Sequence, residues 1–327
     1  MKDSNPDTKL FRKVVSKVKI AVVGPGALGC LLAASLLEAG EEVVLVDYRP
    51  DRAARLREQG IQLTTLNGRE KVLPAPVTLA PGPGPCHLVI MTVKAYQTRA
   101  ASQILPTLMA GDTLVLTLQN GLGNLEEMAR VVGPDALLAG VAYLGVTRRG
   151  EGQVVHAGAG AIVIGASPGS RVTPEEVQAI VSIFRRAGWD CRAHPDIQTL
   201  LWEKLLINVG INPLTALLRV PNGVLLKLPE AWELAVAAAR EAQAVAHAAG
   251  IPLKSDPEES LRQVCLATGA NRSSMLQDVL AGRPTEIEAL NAQVEVWGAA
   301  VGVATPVNHF LTQLLRAWGR AGDMRVG

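Results

Sequence analysis

The amino-acid sequence predicts an α/β chain: a Rossmann-type doubly wound parallel-sheet domain, followed by an all-α C-terminal domain. Three observations carry that reading. A short β-rich apolar run, Ile20-Ala21-Val22-Val23, ends in a glycine-rich turn and passes into apolar residues at helical spacing. Strand-like and helical patterns then alternate, as expected of a parallel sheet with crossover helices. After about Pro195 the strand signals fade and long helical patterns take over, which places a domain boundary there. The expected divisions are 1–18 as an N-terminal tail, 19–195 as a dinucleotide-binding domain and 196–327 as an all-helical substrate and catalytic domain.

The totals narrow the function class. A length of 327 residues allows two domains, each with its own core. Hydrophobic residues at 48% and charged residues at 19% describe an ordinary globular protein. A net charge of +2 and only 3% aromatics give no basis for a nucleic-acid or membrane-surface partner. Cys30, Cys86, Cys191 and Cys265 form no CxxC pair, and no histidine stands at metal spacing. Neither a metal site nor a disulfide framework is therefore expected, and a cytoplasmic location is. The Ala-rich segment Trp232–Ala249 is interrupted by Glu233, Arg240, Glu241 and His247, so it is not a membrane span. Met1–Lys19 is basic, contains Asp3 and Asp7, and lacks the apolar stretch of a signal peptide.

In order along the chain, Gly24-Pro25-Gly26-Ala27-Leu28-Gly29 is a GxGxxG turn between a strand and a helix. Gly24 permits the tight turn, Gly26 lets backbone approach a pyrophosphate, and Gly29 allows close helix–strand packing. The next strand, Val43–Val46, ends at Asp47, near the spacing of an acid that binds the adenosine ribose and favours NAD. Arg49 and Arg52 follow, and either guanidinium suits a 2′-phosphate, which favours NADP. Strands at His87–Val93 and Thr113–Leu118 run into Lys94 and Asn120, placing both at the ligand-binding edge of the sheet. Ala139–Gly165 is β-rich, with His156 in an alternating stretch that suits a structural role. A helix starts at Thr173 with proline at its first position.

In the second half, Lys204, Asn208 and Asn212 recur every four residues in an otherwise aliphatic segment. At about 100° per residue they share one side of a helix, and one cation with two amides there suits a ligand better than solvent. Pro221-Asn222-Gly223 reads as a turn, and Ala231–Ala249, Pro257–Thr268, Arg272–Ala281 and Glu286–Val301 read as helices. Ser273 and Ser274 suit a helix cap, and Glu286 suits a helix start.

These pieces resemble the ketopantoate reductase (2-dehydropantoate 2-reductase) family. The matching segments are Gly24–Gly29, Thr92–Gln97, Gln119–Gly123, Trp202–Asn208, Ile211–Ala216, Pro221–Gly223, Ser273–Asp278 and Thr285–Ile287. The resemblance implies NAD(P)H-dependent reduction of 2-dehydropantoate to (R)-pantoate in pantothenate and coenzyme A synthesis. It implies that Gly24, Pro25, Gly26, Ala27, Leu28 and Gly29 hold the pyrophosphate, with Lys94 also on the cofactor. Asn120 would lie near nicotinamide and substrate. Lys204 would be the general acid, and Asn208, Asn212, Asn222 and Ser274 would bind the substrate. Glu286 would meet the cofactor and help set Lys204. NADP(H) is implied by the family, while Asp47 keeps NAD(H) open. The family implies a monomer or homodimer acting on a small 2-oxo acid. Two alternatives compete: a paralogue acting on another branched 2-oxo or 2-hydroxy acid, and a non-catalytic dinucleotide-binding regulator.

Overall fold

The computed structural model describes residues 17–322, so nearly all of the expected N-terminal tail lies outside it. The chain divides into two compact units, and residues 120–123 belong with 198 onward rather than with their sequence neighbours.

In the first unit the strands are β1 (Lys19–Val23), β2 (Glu42–Asp47), β3 (Ile61–Thr64), β4 (Glu70–Leu73), β5 (Val77–Leu79) and β6 (Leu88–Met91). They continue as β7 (Leu114–Thr117), β8 (Leu137–Ala142), β9 (Gly145–Gly150), β10 (Gln153–Gly158), β11 (Ile162–Ala166) and β12 (Cys191–Ala193). The helices are α1 (Ala27–Glu38), α2 (Pro50–Gln59), α3 (Thr98–Ser102), α4 (Leu105–Leu108), α5 (Asn124–Val132) and α6 (Pro174–Arg186).

An eight-stranded sheet runs β12-β11-β8-β7-β6-β1-β2-β5. Pairing is parallel except between β8 and β11. Its middle has the doubly wound order, with the chain reversing direction across the sheet at β1. Alternate residues show why the strands read as continuous apolar runs. Ile20 and Val22 of β1 enter one core cluster, while Ala21 and Val23 enter another. Leu88 and Ile90 of β6 divide from Val89 and Met91 in the same way, so both faces of the sheet are covered. A smaller sheet, β4-β3-β10-β9, was not anticipated as a unit, because its strands are short and β4 exposes three of its four residues. The α6 start is as expected: Thr173 accepts from the Glu176 N–H, and Glu176 accepts from the Thr173 N–H in return.

The second unit contains α7 (Ile197–Leu218), α8 (Pro229–Ala248), α9 (Pro257–Ala267), α10 (Ser274–Leu280), α11 (Asn291–Val301) and α12 (Pro306–Ala321). Its core is a single cluster that includes Trp202, Leu205, Leu206 and Val209 of α7 with the alanine face of α8. Two expectations change. Residues 286–301 are not one helix: a 3₁₀ turn, Ile287–Ala289, precedes α11, and Leu290 between them has φ −108° and ψ −101°. Pro221-Asn222-Gly223 opens a 3₁₀ stretch, Asn222–Lys227, and is not an isolated turn. No helix of the described residues is long and apolar enough to cross a membrane.

Candidate active site

The first unit builds a backbone site. Gly24 has φ +100°, and a Cβ there would stand 2.8 Å from the Val93 nitrogen, so glycine is required by conformation and by space. Gly29 is required by packing, since a Cβ would lie 2.2 Å from the Gly24 carbonyl oxygen. Gly26, the N-cap of α1, differs: its Cβ would meet nothing within 4 Å. The fold has no use for a bare backbone at that position, but an incoming pyrophosphate does. The donor set fits a dinucleotide phosphate for this reason. Thr92, which sequence reading passed over, steadies the turn by donating its hydroxyl to the Gly24 carbonyl at 2.8 Å.

Asp47 ends β2 as expected, but its carboxylate is already engaged. Arg52 donates Nε and Nη2 to its two oxygens, each at 2.6 Å, and the Arg49 N–H adds a third bond at 3.0 Å. The Asp47 side chain is fully buried and that of Arg52 nearly so. Arg49 turns to Asp51 and Glu151, and Arg55 also pairs with both acids. Lys94 caps the 3₁₀ turn Ala95–Gln97 just after β6, and it is half-buried. Gln119 is an internal tie: its amide donates to Val93 O and Thr98 Oγ1, fastening the ends of β6 and β7. His156 packs its ring against Trp189, 5.3 Å between centroids, and burial lowers its pKa.

The second unit builds a side-chain site. Lys204, Asn208 and Asn212 all lie on α7, the first two half-buried and the third buried. Burial pulls the Lys204 pKa from 10.5 down to about 8, and the Glu286 carboxylate opposes that fall. The fall corresponds to a bias of about 3 kcal/mol against the ammonium. Glu286 is itself buried at the start of the 287–289 turn, with no cap bond from its side chain. It thus stands at a helix start, as expected, while its charge acts on Lys204.

Asn120 reaches this unit because its loop is fastened to that same turn. The Leu122 N–H donates to Ala289 O at 2.9 Å, and a Cβ on Gly121 would come within 2.1 Å of that oxygen. Asn222 is buried; its Nδ2 donates to Thr268 Oγ1 at 2.9 Å while its buried Oδ1 has no hydrogen-bond partner among the described residues. Such an acceptor is costly unless a ligand donor meets it. The adjacent serines divide their work. Ser273 caps α10 by accepting from the Leu276 N–H and also bonds Thr215 Oγ1 of α7 at 2.8 Å. Ser274, the first residue of α10, is half-buried. Asn120, Lys204, Asn208, Asn212, Asn222, Ser274 and Glu286 thus all belong to the second unit, and Gly24–Gly29, Asp47, Arg49 and Lys94 to the first.

The ketopantoate reductase PanE/ApbA family model matches residues 20–169, and the model of that family's C-terminal part matches residues 196–319. The chain belongs to the ketopantoate reductase family. It is 34% identical over 306 residues to a 2-dehydropantoate 2-reductase of Halobacterium salinarum, covering 93% of this chain and all of that one. The same identity and coverage hold, over 322 aligned residues, for a 2-dehydropantoate 2-reductase of Vibrio cholerae. Among solved structures, 2-dehydropantoate 2-reductase from Geobacter metallireducens superposes with a TM-score of 0.84 at 33% identity, covering 92% of this chain and 100% of that one. D-Mandelate dehydrogenase with NADH and anilino(oxo)acetate superposes at 0.86 with 27% identity, covering 93% and 99%.

Proposed function

We propose that this chain reduces 2-dehydropantoate to (R)-pantoate with NAD(P)H, the reductive step that feeds pantothenate and coenzyme A synthesis. The carrying observation is Lys204: a half-buried residue whose pKa burial pulls down to about 8, at the head of a helical stripe of two amides. Reduction of a 2-oxo acid develops negative charge on the carbonyl oxygen, and an ammonium there stabilises the charge and delivers the proton. A pKa near 8 leaves Lys204 mostly protonated at neutral pH yet able to release its proton, as a general acid requires. Glu286 keeps the proton on Nζ until it is needed. Asn208, Asn212 and Asn222 offer amide donors and acceptors to a hydroxyl and a carboxylate without adding charge, and Ser274 offers a hydroxyl. The nicotinamide, when bound, supplies the hydride. Gly26 and the first N–H groups of α1 would hold the pyrophosphate, with Lys94 beside it.

Cofactor choice turns on Asp47. Its charge, which would repel a 2′-phosphate, is neutralised by Arg52, and this supports NADPH. The NADH-bound D-mandelate dehydrogenase neighbour supports NADH as the alternative, and it also favours a second reading of the substrate as another 2-oxo or 2-hydroxy acid. Steady-state turnover of a panel of 2-oxo acids with each cofactor tests both choices. Expected is a kcat/KM for 2-dehydropantoate at least about tenfold above aromatic and unbranched 2-oxo acids. Equal or faster turnover of an aromatic 2-oxo acid would replace this assignment with the second reading.

A further inference from the structure

The helix that carries the stripe, α7, contains an internal proline, Pro213, immediately after Asn212. Proline has no N–H, so the carbonyl four residues earlier, that of Val209, loses its helical partner. That carbonyl directly follows Asn208 in the chain. The missing bond therefore falls on the turn that carries both substrate amides.

A side chain from another helix takes its place. Asn291, the first residue of α11, donates Nδ2 to Val209 O at 3.1 Å. Its second amide hydrogen goes to Asn308 Oδ1 at 3.0 Å. Asn308 Nδ2 in turn donates to Ala238 O at 3.0 Å and to Glu241 Oε2 at 2.7 Å. The Glu241 carboxylate also accepts the N–H groups of Val307 and Asn308 at the start of α12, at 2.9 and 3.0 Å. Asn291 and Asn308 are both 0% exposed. The chain of bonds thus runs from a fixed carboxylate, through two buried amides, to the one carbonyl the proline leaves open.

Chemistry restricts what can stand at position 291. Val209 O and Asn308 Oδ1 are both acceptors, so the residue must present two hydrogens from one atom in a dry core. The NH₂ end of an asparagine does so, an isosteric aspartate does not, and an apolar residue leaves two acceptors bare. Asn291 Oδ1 is itself buried without a hydrogen-bond partner among the described residues. Retaining that orphan oxygen has a stability cost, which is tolerated where the donor end fulfils a positional need.

We propose that Asn291 is a positioning residue: it sets the turn of α7 broken by Pro213, so that Asn208 and Asn212 meet one substrate in register with Lys204. The inference rests on the substrate role given to those two amides. It predicts a split between substrate and cofactor. Asn291→Ala should raise the KM for 2-dehydropantoate about tenfold, with nicotinamide-cofactor Kd unchanged. It also predicts rescue. Pro213→Ala restores an N–H that can reach Val209 O, so Asn291→Ala should cost much less in KM and in thermal midpoint when combined with Pro213→Ala.

The experiment is a double-mutant cycle of Asn291→Ala and Pro213→Ala on the full chain. It reads substrate KM, kcat, cofactor Kd by fluorescence titration and thermal midpoint. Selective loss of substrate KM with recovery in the double variant supports the proposal. An unchanged KM in folded Asn291→Ala, or equal losses in the single and double variants, overturns it. The thermal cycle needs no substrate, so a wild-type chain that fails to turn over 2-dehydropantoate would reject the functional assignment without touching the Val209 replacement.

Discussion

The glycine turn and the Lys204 helix solve opposite problems. In the turn, the proposed function rests on what is missing: Gly24 and Gly29 have no room for a Cβ, and Gly26 has room that the fold leaves open. On α7, the proposed function rests on what is present: an ammonium and amides kept in an apolar helix at a cost in desolvation. A backbone site tolerates any change that adds no atom, whereas a side-chain site fails with the loss of one. The contrast predicts where each half is fragile.

The largest effect is expected at Lys204. Lys204→Ala should lower kcat by about 10²–10⁴ through loss of the proton donor and its charge. Cofactor affinity should be unchanged, because the residue belongs to the side-chain site. Loss of cofactor binding in equal measure, read by fluorescence titration, would erase the contrast.

The glycines give the next effect and divide the turn itself. Gly29→Ala should destabilise by about 1–3 kcal/mol, since the added methyl meets a backbone oxygen. Gly26→Ala should leave the thermal midpoint alone and raise cofactor KM about tenfold by blocking backbone approach to the pyrophosphate. Equal midpoint losses in the two variants would show that both glycines serve only the fold.

These two motifs were legible in the sequence for a physical reason. Gly24 to Gly29 express a local backbone requirement, and Lys204, Asn208 and Asn212 express helical periodicity, so residue type and spacing suffice for each. The Ser273 cap was legible too, but Asn291 and the second bond of Ser273 were not. Asn291 reaches a carbonyl 82 residues away, and Ser273 bonds a hydroxyl 58 residues away, so their roles exist only once the helices have packed. Glu286 is singled out by the resemblance; its charge acts on Lys204 across 82 residues of chain, and the turn after it is one that periodicity alone merges into a single helix. Asp47 stands at the end of β2 as its spacing predicts, but spacing leaves Arg49 and Arg52 equally open to a 2′-phosphate and does not reveal the bidentate Asp47–Arg52 ion pair. The small second sheet was missed for want of apolar alternation in β4.

A smaller effect sharpens the cofactor half. Arg52→Gln removes the partner that neutralises the buried Asp47 carboxylate, whose charge then repels a 2′-phosphate. The ratio of kcat/KM for NADPH to that for NADH should fall about tenfold. An unchanged ratio would show that the Asp47–Arg52 pair does not set cofactor choice.

The most direct test of the account is the pH dependence of kcat in the wild type and in Glu286→Gln. Lys204 must carry its proton to act as the acid, so turnover should decline as pH rises through about 8, the value set by burial. Glu286 raises that pKa, so its neutral replacement should move the alkaline limb to lower pH. A limb near pH 8 that shifts downward in the variant is the predicted result. A rate that stays level toward pH 10, or a limb that Glu286→Gln leaves in place, would contradict Lys204 as the proton donor.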